Sequence, residues 1–164
     1  MTVRDAFTDD EWSEIVLAPM LASFAVTAAD PSGLFGVIRE SSAAARAMEA
    51  ARTDGDDLTS EVMATYDTPE ARKAASDAIS GLARGRSPDE ATAKAIARIS
   101  EVSRLLESRG LEARAFRTWL RGIARDVAEA GTEGGFLGFG GEQVSEAEKA
   151  TLAKIDGALS EGTG

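Results

Sequence analysis

Apolar residues recur every three or four positions along most of this chain, which is the spacing of one face of an α-helix. Residues 88–108 and 112–130 show this spacing most regularly. The apolar faces consist of Ile96, Ile99, Val102, Leu105 and Leu106 in the first range, and of Phe116, Leu120, Ile123 and Val127 in the second. No stretch alternates apolar and polar residues as a half-buried strand would. The pattern therefore predicts an all-α protein.

Local signals mark where the helices begin and end. Capping boxes lie at Thr8–Glu11, Ser87–Glu90 and Ser145–Glu148, and Thr68 precedes a proline at a first helical position. In such a box a hydroxyl and a carboxylate satisfy backbone amides that would otherwise lack a partner. Glycines and acidic turns mark the ends. We therefore predict about seven helices, over 9–29, 34–52, 57–66, 69–84, 88–108, 112–130 and 146–160.

The first predicted helix differs from the others because it is largely apolar. Residues 15–29 contain no charged side chain, and they are fewer than the roughly 20 residues that cross a bilayer. We therefore expect a buried helix near the centre of a bundle and no membrane span. Pro19 lies inside this helix and removes one backbone hydrogen bond, which predicts a kink.

The composition favours closely packed helices in one domain. The 164 residues include 31 alanines but only nine aromatic residues. Alanine combines the highest helix propensity with a small side chain. A chain of this length fits one domain. We predict a single helical domain over residues 1–160 and a flexible tail at 161–164, which is polar and rich in glycine.

The chain contains neither cysteine nor histidine, which excludes much of enzyme chemistry. Thiolate nucleophiles, Cys/His zinc sites, imidazole acid–base catalysis and the Ser-His-Asp triad all require one of the two residues. We predict no catalytic residues and a protein that is not an enzyme. The alternative from another class is an enzyme of unknown substrate that uses carboxylates and arginines.

The net charge of −10 is unevenly distributed. Residues 1–57 carry a net charge of −7, residues 58–130 a net charge of +1, and residues 131–164 a net charge of −4. An acidic chain does not favour nucleic-acid phosphates or an anionic membrane surface. The first residues lack the apolar run of a signal peptide, so we expect a cytoplasmic protein.

The segment Gly131–Gly141 contains six glycines together with Phe136, Leu137 and Phe139. It follows a helix and lacks the Gly-Lys-Ser/Thr of a phosphate-binding loop. One interpretation is a connector whose aromatic side chains dock on the domain. The other is an exposed apolar loop that binds a protein partner.

Four arginines, Arg114, Arg117, Arg121 and Arg125, lie on one arc of the sixth helix, opposite its apolar face. An ordinary solvated face explains this arc. The sharper hypothesis is a basic row that docks an acidic segment of the chain itself or of a partner.

Carboxylates flank two predicted turns: Asp30 follows the first helix, and Glu146 and Glu148 begin the seventh. If these turns face each other, the three acids offer the oxygen ligands that Ca²⁺ or Mg²⁺ prefer. Helix capping and the helix dipole are the competing explanation for Glu146 and Glu148.

Two stretches near the ends of the chain resemble small bacterial all-helical proteins and, more remotely, the TerB-like tellurite-resistance family. These stretches are Phe7–Trp12 continuing through Pro19 to Asp30, and Gly134–Gly140 followed by Val144–Glu148. The resemblance implies a bundle of about seven helices whose acidic turns bind a cation. At the first turn only Asp30 matches, because the further acids of that family are missing here. The corresponding residues at the second turn are Glu146 and Glu148.

Together these features favour a non-enzymatic helical module that binds a protein partner or forms a homo-oligomer. Modulation by a hard divalent cation, Ca²⁺ or Mg²⁺, is a secondary expectation that depends on Asp30 and the Glu146 region.

Overall fold

The computed structural model describes residues 2–29, 45–51, 56–132 and 144–160, and all regular secondary structure in these ranges is helical. A 3₁₀ turn at Val3–Ala6 comes before the first α-helix. The helices are α1 (Asp9–Ala29), α2 (45–51), α3 (Asp57–Tyr66), α4 (Pro69–Ala83), α5 (Pro88–Leu105), α6 (Leu111–Thr132) and α7 (Glu146–Ala158). The predicted all-α bundle of about seven helices is confirmed.

The helix boundaries follow the predicted ones closely. The bounds of α1 and α3 agree with the prediction, and α4, α5 and α7 end one to three residues earlier than expected. The chain after α5 tightens into a 3₁₀ turn, Glu107–Arg109, and α6 extends two residues beyond its predicted end. Of the predicted second helix, residues 45–51 are helical; residues 34–44 and 52 lie outside the described residues, as does the predicted tail at 161–164.

Side-chain caps set several of these boundaries. Ser87 and Ser145 each accept a hydrogen bond from the amide three residues ahead, and the carboxylates of Glu90 and Glu148 complete the two boxes. Gly85 and Gly110 follow α4 and α5 with φ of 71° and 57°. That left-handed conformation carries no steric cost for glycine.

Helix α1 lies at the centre of the bundle and packs against α3, α4, α5, α6 and α7. Four successive residues, Ile15, Val16, Leu17 and Ala18, are each at most 5% exposed, so apolar side chains are covered around much of the circumference of α1. Pro19 is buried within the helix, which continues from Asp9 to Ala29. The kink at Pro19 stays a prediction.

By length and composition, α1 is also apolar enough to cross a membrane. More than half of its most apolar window, 56%, is buried inside the bundle. The core helix of a water-soluble protein can be equally long and apolar, so this property alone does not tell a membrane-spanning helix from a core helix.

Polar contacts between distant segments tie the helices together. Arg98 on α5 donates two hydrogen bonds to Glu14 on α1, at 2.9 and 2.6 Å. The indole of Trp12 donates to Thr65 on α3 at 3.2 Å, and the indole of Trp119 donates to the carbonyl of Ala47 on α2 at 3.2 Å. These contacts orient the elements around α1.

Candidate functional site

An open groove of about 790 Å³ lies between α5 and α7 and reaches the end of α1. Half of its lining residues are alanines, and they come from all three helices. They are Ala29 on α1, Ala93 and Ala97 on α5, and Ala147, Ala150 and Ala158 on α7. Four of them, Ala93, Ala97, Ala147 and Ala150, are exposed. The groove therefore has a shallow, small-residue surface that another chain can approach closely.

The groove contains a polar atom without a partner. Thr92 on α5 lines it, and this threonine is only 7% exposed. Its Oγ1 is the one buried side-chain oxygen or nitrogen in the described ranges that forms no hydrogen bond. Thr151 of α7, also buried, lines the same groove. A buried hydroxyl is normally paired, because leaving it unpaired costs free energy.

The direction of the two helices follows from their contacts with α6. Arg117 donates to the carbonyl of Ser103 near the end of α5, and Arg121, one turn later, donates to the carbonyl of Leu159 just past α7. The C-terminal ends of α5 and α7 therefore lie at the same end of the groove, and both helices begin at the other end.

Two exposed charges lie at different heights along this groove. Asp89 is in the first turn of α5, and Lys154 is in the second half of α7. Neither forms an ion pair with any residue that the structure describes.

The acids predicted to bind a cation are engaged in local contacts where the structure describes them. The Glu146 carboxylate pairs with Lys149 at 2.9 Å. Glu148 is 4% exposed, and its carboxylate accepts a hydrogen bond from the amide of Ser145 at 2.8 Å. Asp30 lies outside the described residues. Within the described ranges no three acidic side chains group in a way that could hold a metal ion, so Ca²⁺ or Mg²⁺ binding stays a prediction.

Glu148 is also the only buried acidic residue among those that the structure describes. A pair of buried carboxylates is the feature that would favour an acid–base enzyme. The described pockets contain no such pair, so no observation singles out a catalytic group.

The predicted arginine row does not form one solvated face, and that interpretation is wrong at Arg117. This side chain is 3% exposed, and its Nε donates to Ser103 Oγ at 2.9 Å. Arg121 forms an ion pair with Asp156 at 3.2 Å, and Arg125 approaches the same carboxylate at 3.9 Å. Because α6 packs between other elements, three of these arginines, Arg117, Arg121 and Arg125, form contacts within the chain. Arg114 lines a small pocket with Arg117 and Arg121.

The predicted sticky-loop residues Phe136, Leu137 and Phe139 lie outside the described residues. Their role in binding a partner, like that of the arginines, stays a prediction.

A second, smaller candidate site is a cleft of about 220 Å³ between α1 and α4. Its wall includes Trp12, whose indole nitrogen already donates to Thr65. The charged pair at the cleft, Glu14 and Arg98, is mutually satisfied by two hydrogen bonds. Because these polar groups have partners, the cleft shows no unmet requirement for a ligand.

Among the residues that the structure describes, three pKa values are displaced, and each has a local cause. Hydrogen bonds from the backbone amide and the hydroxyl of Thr8 hold the pKa of Glu11 below its ordinary value of 4.5. The backbone amide and side chain of Ser87 lower the pKa of Glu90 in the same way. Burial raises the pKa of Tyr66 above its ordinary value. The two acids are capping residues, so their shifts reflect helix capping.

Sequence reasoning did not identify Thr92 or the alanine groove. A usable signal was present in the spacing of Ala93 and Ala97, and of Ala147 and Ala150, which places small residues on one side of each helix. The orphaned hydroxyl itself depends on tertiary packing and leaves no pattern in the sequence.

Comparisons of this chain with protein-family models, with curated proteins and with solved structures give no match. The resemblance to the TerB-like family therefore stays a prediction.

Proposed function

We propose that this chain is a non-catalytic helical module that binds a helix of another polypeptide in the groove between α5 and α7. The observation that carries the proposal is the unpaired, buried Oγ1 of Thr92, a residue that lines an open groove. An unpaired buried hydroxyl costs about 1–3 kcal/mol. A helix seated in the groove can supply a partner for it and cover the exposed alanines at the same time.

The dimensions of the groove favour a helix as the occupant. The lining of α5 runs from Asp89 to Ser100, which is about 16 Å or three helical turns. Small residues on both sides let a third helix approach the backbones of α5 and α7, so that many weak dispersion contacts form. The groove is open, whereas a small-ligand site buries most of the surface of its ligand.

The hydroxyl of Thr92 is reached by a side-chain rotation. Its Oγ1 is buried in the present conformation. Threonine in a helix populates two χ1 rotamers, and the change from one to the other moves the hydroxyl to a different position around the Cβ. An incoming polar group on the occupant therefore needs only this rotation to form its hydrogen bond.

The proposal is tested with helical peptides selected from a displayed library against the purified chain. Ala150→Trp fills the groove, whereas Ala153→Trp adds the same side chain at an exposed position of α7 outside the groove lining. We expect Ala150→Trp to raise the peptide Kd by about tenfold or more, which corresponds to ~1.4 kcal/mol. We expect Ala153→Trp to leave the Kd unchanged.

Circular dichroism establishes that both variants fold. Selected peptides that bind the two variants equally well, or a library that yields no binder of the wild-type chain, would contradict the proposal.

A further inference from the structure

We infer that a second site, the small pocket between α6 and the end of α7, binds a doubly charged tetrahedral oxyanion such as a phosphate group. The pocket, called the arginine pocket below, has a volume of about 390 Å³. It shares no lining residue with the α5–α7 groove, so the inference does not depend on the proposed function. Its lining consists of Arg114, Arg117, Thr118, Arg121, Leu159 and Ser160.

The charged residues that line the arginine pocket are all basic. Each of the four other described pockets has at least one acidic residue in its lining, whereas the described lining of this one has three arginines and no acid. Just outside the lining, Asp156 is shared by Arg121 at 3.2 Å and Arg125 at 3.9 Å. The end of α7 adds about half a negative charge, which offsets only part of three guanidinium charges. A local excess of positive charge attracts an anion.

Two of the three guanidinium groups are held in place by contacts within the chain. Arg117 is 3% exposed, and its Nε and Nη2 donate to the hydroxyl and the carbonyl of Ser103 at 2.9 and 2.8 Å. Arg121 donates from Nη2 to the carbonyl of Leu159 at 2.8 Å, and its Nε lies next to Asp156. Side chains that are already ordered lose less conformational entropy when a ligand binds.

Two side chains of the pocket have donors that a bound anion can use. The contacts of Arg121 with the described part of the chain use its Nε and Nη2 and do not use its Nη1. A guanidinium presents its N–H groups in a planar fork that matches the oxygens of phosphate. Thr118 is exposed and lines the pocket, so its hydroxyl can donate to the same anion.

Helix capping explains only part of this arrangement. The contacts of Arg117 and Arg121 with carbonyls near the ends of α5 and α7 stabilise those helix ends. They do not account for a third arginine, the exposed Arg114, in a lining without an acid. A group with two negative charges gains more Coulomb energy from this cluster than a carboxylate with one, which favours a phosphate group as the ligand.

The inference is tested by titrating the purified chain with sodium phosphate while amide signals are followed by NMR. The pH is chosen so that phosphate is mainly doubly charged, and sodium chloride is adjusted to keep the ionic strength constant. We expect saturable shifts of the amides of Thr118 and Ser160. Acetate, which carries a single charge, should bind with a Kd about tenfold higher or more.

Matched variants separate the pocket from the net charge of the chain. Arg114→Gln removes one positive charge from the pocket, and Arg84→Gln removes the same charge at the end of α4. Both arginines are exposed, so we expect both variants to fold, which circular dichroism checks. We expect Arg114→Gln to raise the phosphate Kd by about fivefold and Arg84→Gln to leave it unchanged. Thr118→Val, which removes only a hydroxyl, should raise it by about threefold.

A parallel titration distinguishes free phosphate from a phosphate ester as the source of the oxyanion. Glycerol phosphate carries the same group on a small organic body. A lower Kd for glycerol phosphate than for inorganic phosphate supports the inference with a phosphomonoester as the ligand. Equal values support it with the oxyanion alone as the recognised group.

Phosphate that causes no saturable shift, or shifts that acetate reproduces with the same Kd, would overturn the inference. An equal rise of the phosphate Kd in Arg114→Gln and Arg84→Gln would also overturn it, because the effect would then come from the net charge of the chain. These outcomes concern the arginine pocket alone and leave the peptide-binding test of the groove unaffected.

Discussion

Two buried threonines in this molecule have opposite hydrogen-bonding situations. Thr92 is 7% exposed with an unpaired Oγ1. Thr59 is 2% exposed, and its Oγ1 donates to Asp56 at 2.9 Å. Both residues lie in helices, so replacement by valine changes shape and helix propensity little and mainly removes a hydroxyl. The difference between the two sites isolates the cost of the unpaired group.

We therefore predict opposite effects of valine at these sites. Thr92→Val raises the free energy of unfolding by about 1 kcal/mol, because it removes a polar group that is desolvated without compensation. Thr59→Val lowers it by about 1 kcal/mol, because it breaks a satisfied hydrogen bond. Urea denaturation of the purified chain measures both values. A loss of stability in Thr92→Val would show that its hydroxyl is paired in the free chain.

The capping glutamates give a second prediction at the residue scale. Glu11 and Glu90 have folded-state pKa values below 4.5, because backbone amides donate to the ionised carboxylates. Their stabilising contribution is therefore complete above pH 4.5, and it is lost as the pH falls through the lower folded-state pKa. The free energy of unfolding should decrease in this acidic range.

Replacement by glutamine separates this contribution from the rest of acid denaturation. Glu11→Gln and Glu90→Gln keep a hydrogen-bond acceptor but cannot titrate. We expect the double variant to show a flatter decline of unfolding free energy with falling pH than the wild type, in urea titrations repeated at each pH. An identical slope for both proteins would contradict the assignment.

Helices in this bundle differ strongly in how firmly they are attached. In α1 ten residues are buried, whereas in α4 only Ala75 and Leu82 are. A helix with few buried apolar contacts opens at a lower free energy than the bundle as a whole. The small apolar cleft of α1 and α4 lies along this weak contact.

We expect native-state hydrogen exchange to reflect this difference. Amides of α4 should exchange faster than those of α1 and α5, because α4 can detach without unfolding the core. Leu82→Ala removes the larger of its two buried side chains and should accelerate exchange in α4, with a much smaller effect in α1. Uniform protection of all three helices would contradict this order of stability.

Helix boundaries were predictable to within a few residues because their signals are local. Ser87, Glu90, Ser145 and Glu148 form their boxes within one turn, so no distant contact is needed to place them. The burial of an individual residue in the bundle, in contrast, depends on contacts with distant segments. Ala93 is exposed and Ala95 is completely buried, yet the residue type is identical and alanine suits both environments. For this reason the spacing of Ala93 and Ala97 shows that they share one side of α5, but it does not show that this side is exposed.

Arg117 illustrates the same limit for the arginine row. Helical spacing places it beside Arg114, Arg121 and Arg125, but its side chain is buried and donates hydrogen bonds to Ser103 near the end of α5. These tertiary contacts distinguish it from the exposed Arg125. Sequence spacing predicts which residues share a face, and tertiary packing decides how much of that face meets solvent.

At the scale of the whole molecule, the described part of the chain presents a well-packed core around α1 and one open surface with an unmet hydrogen-bonding requirement. The acidic balance does not prevent that surface from binding, because the groove itself carries one acid and one base. The central claim is therefore that another polypeptide covers the α5–α7 groove in solution.

The most direct measurement of that claim uses the absence of cysteine from the chain. A single thiol introduced by Ala93→Cys lies in the groove, and one introduced by Ala153→Cys is exposed on α7 outside its lining. Alkylation rates are compared in the absence and in the presence of a saturating helical peptide selected against the chain. We predict that the peptide slows the reaction of the Ala93→Cys thiol, while the Ala153→Cys thiol reacts at a constant rate. Equal rates with and without the peptide at both positions would show that the peptide does not cover the groove and would contradict the account.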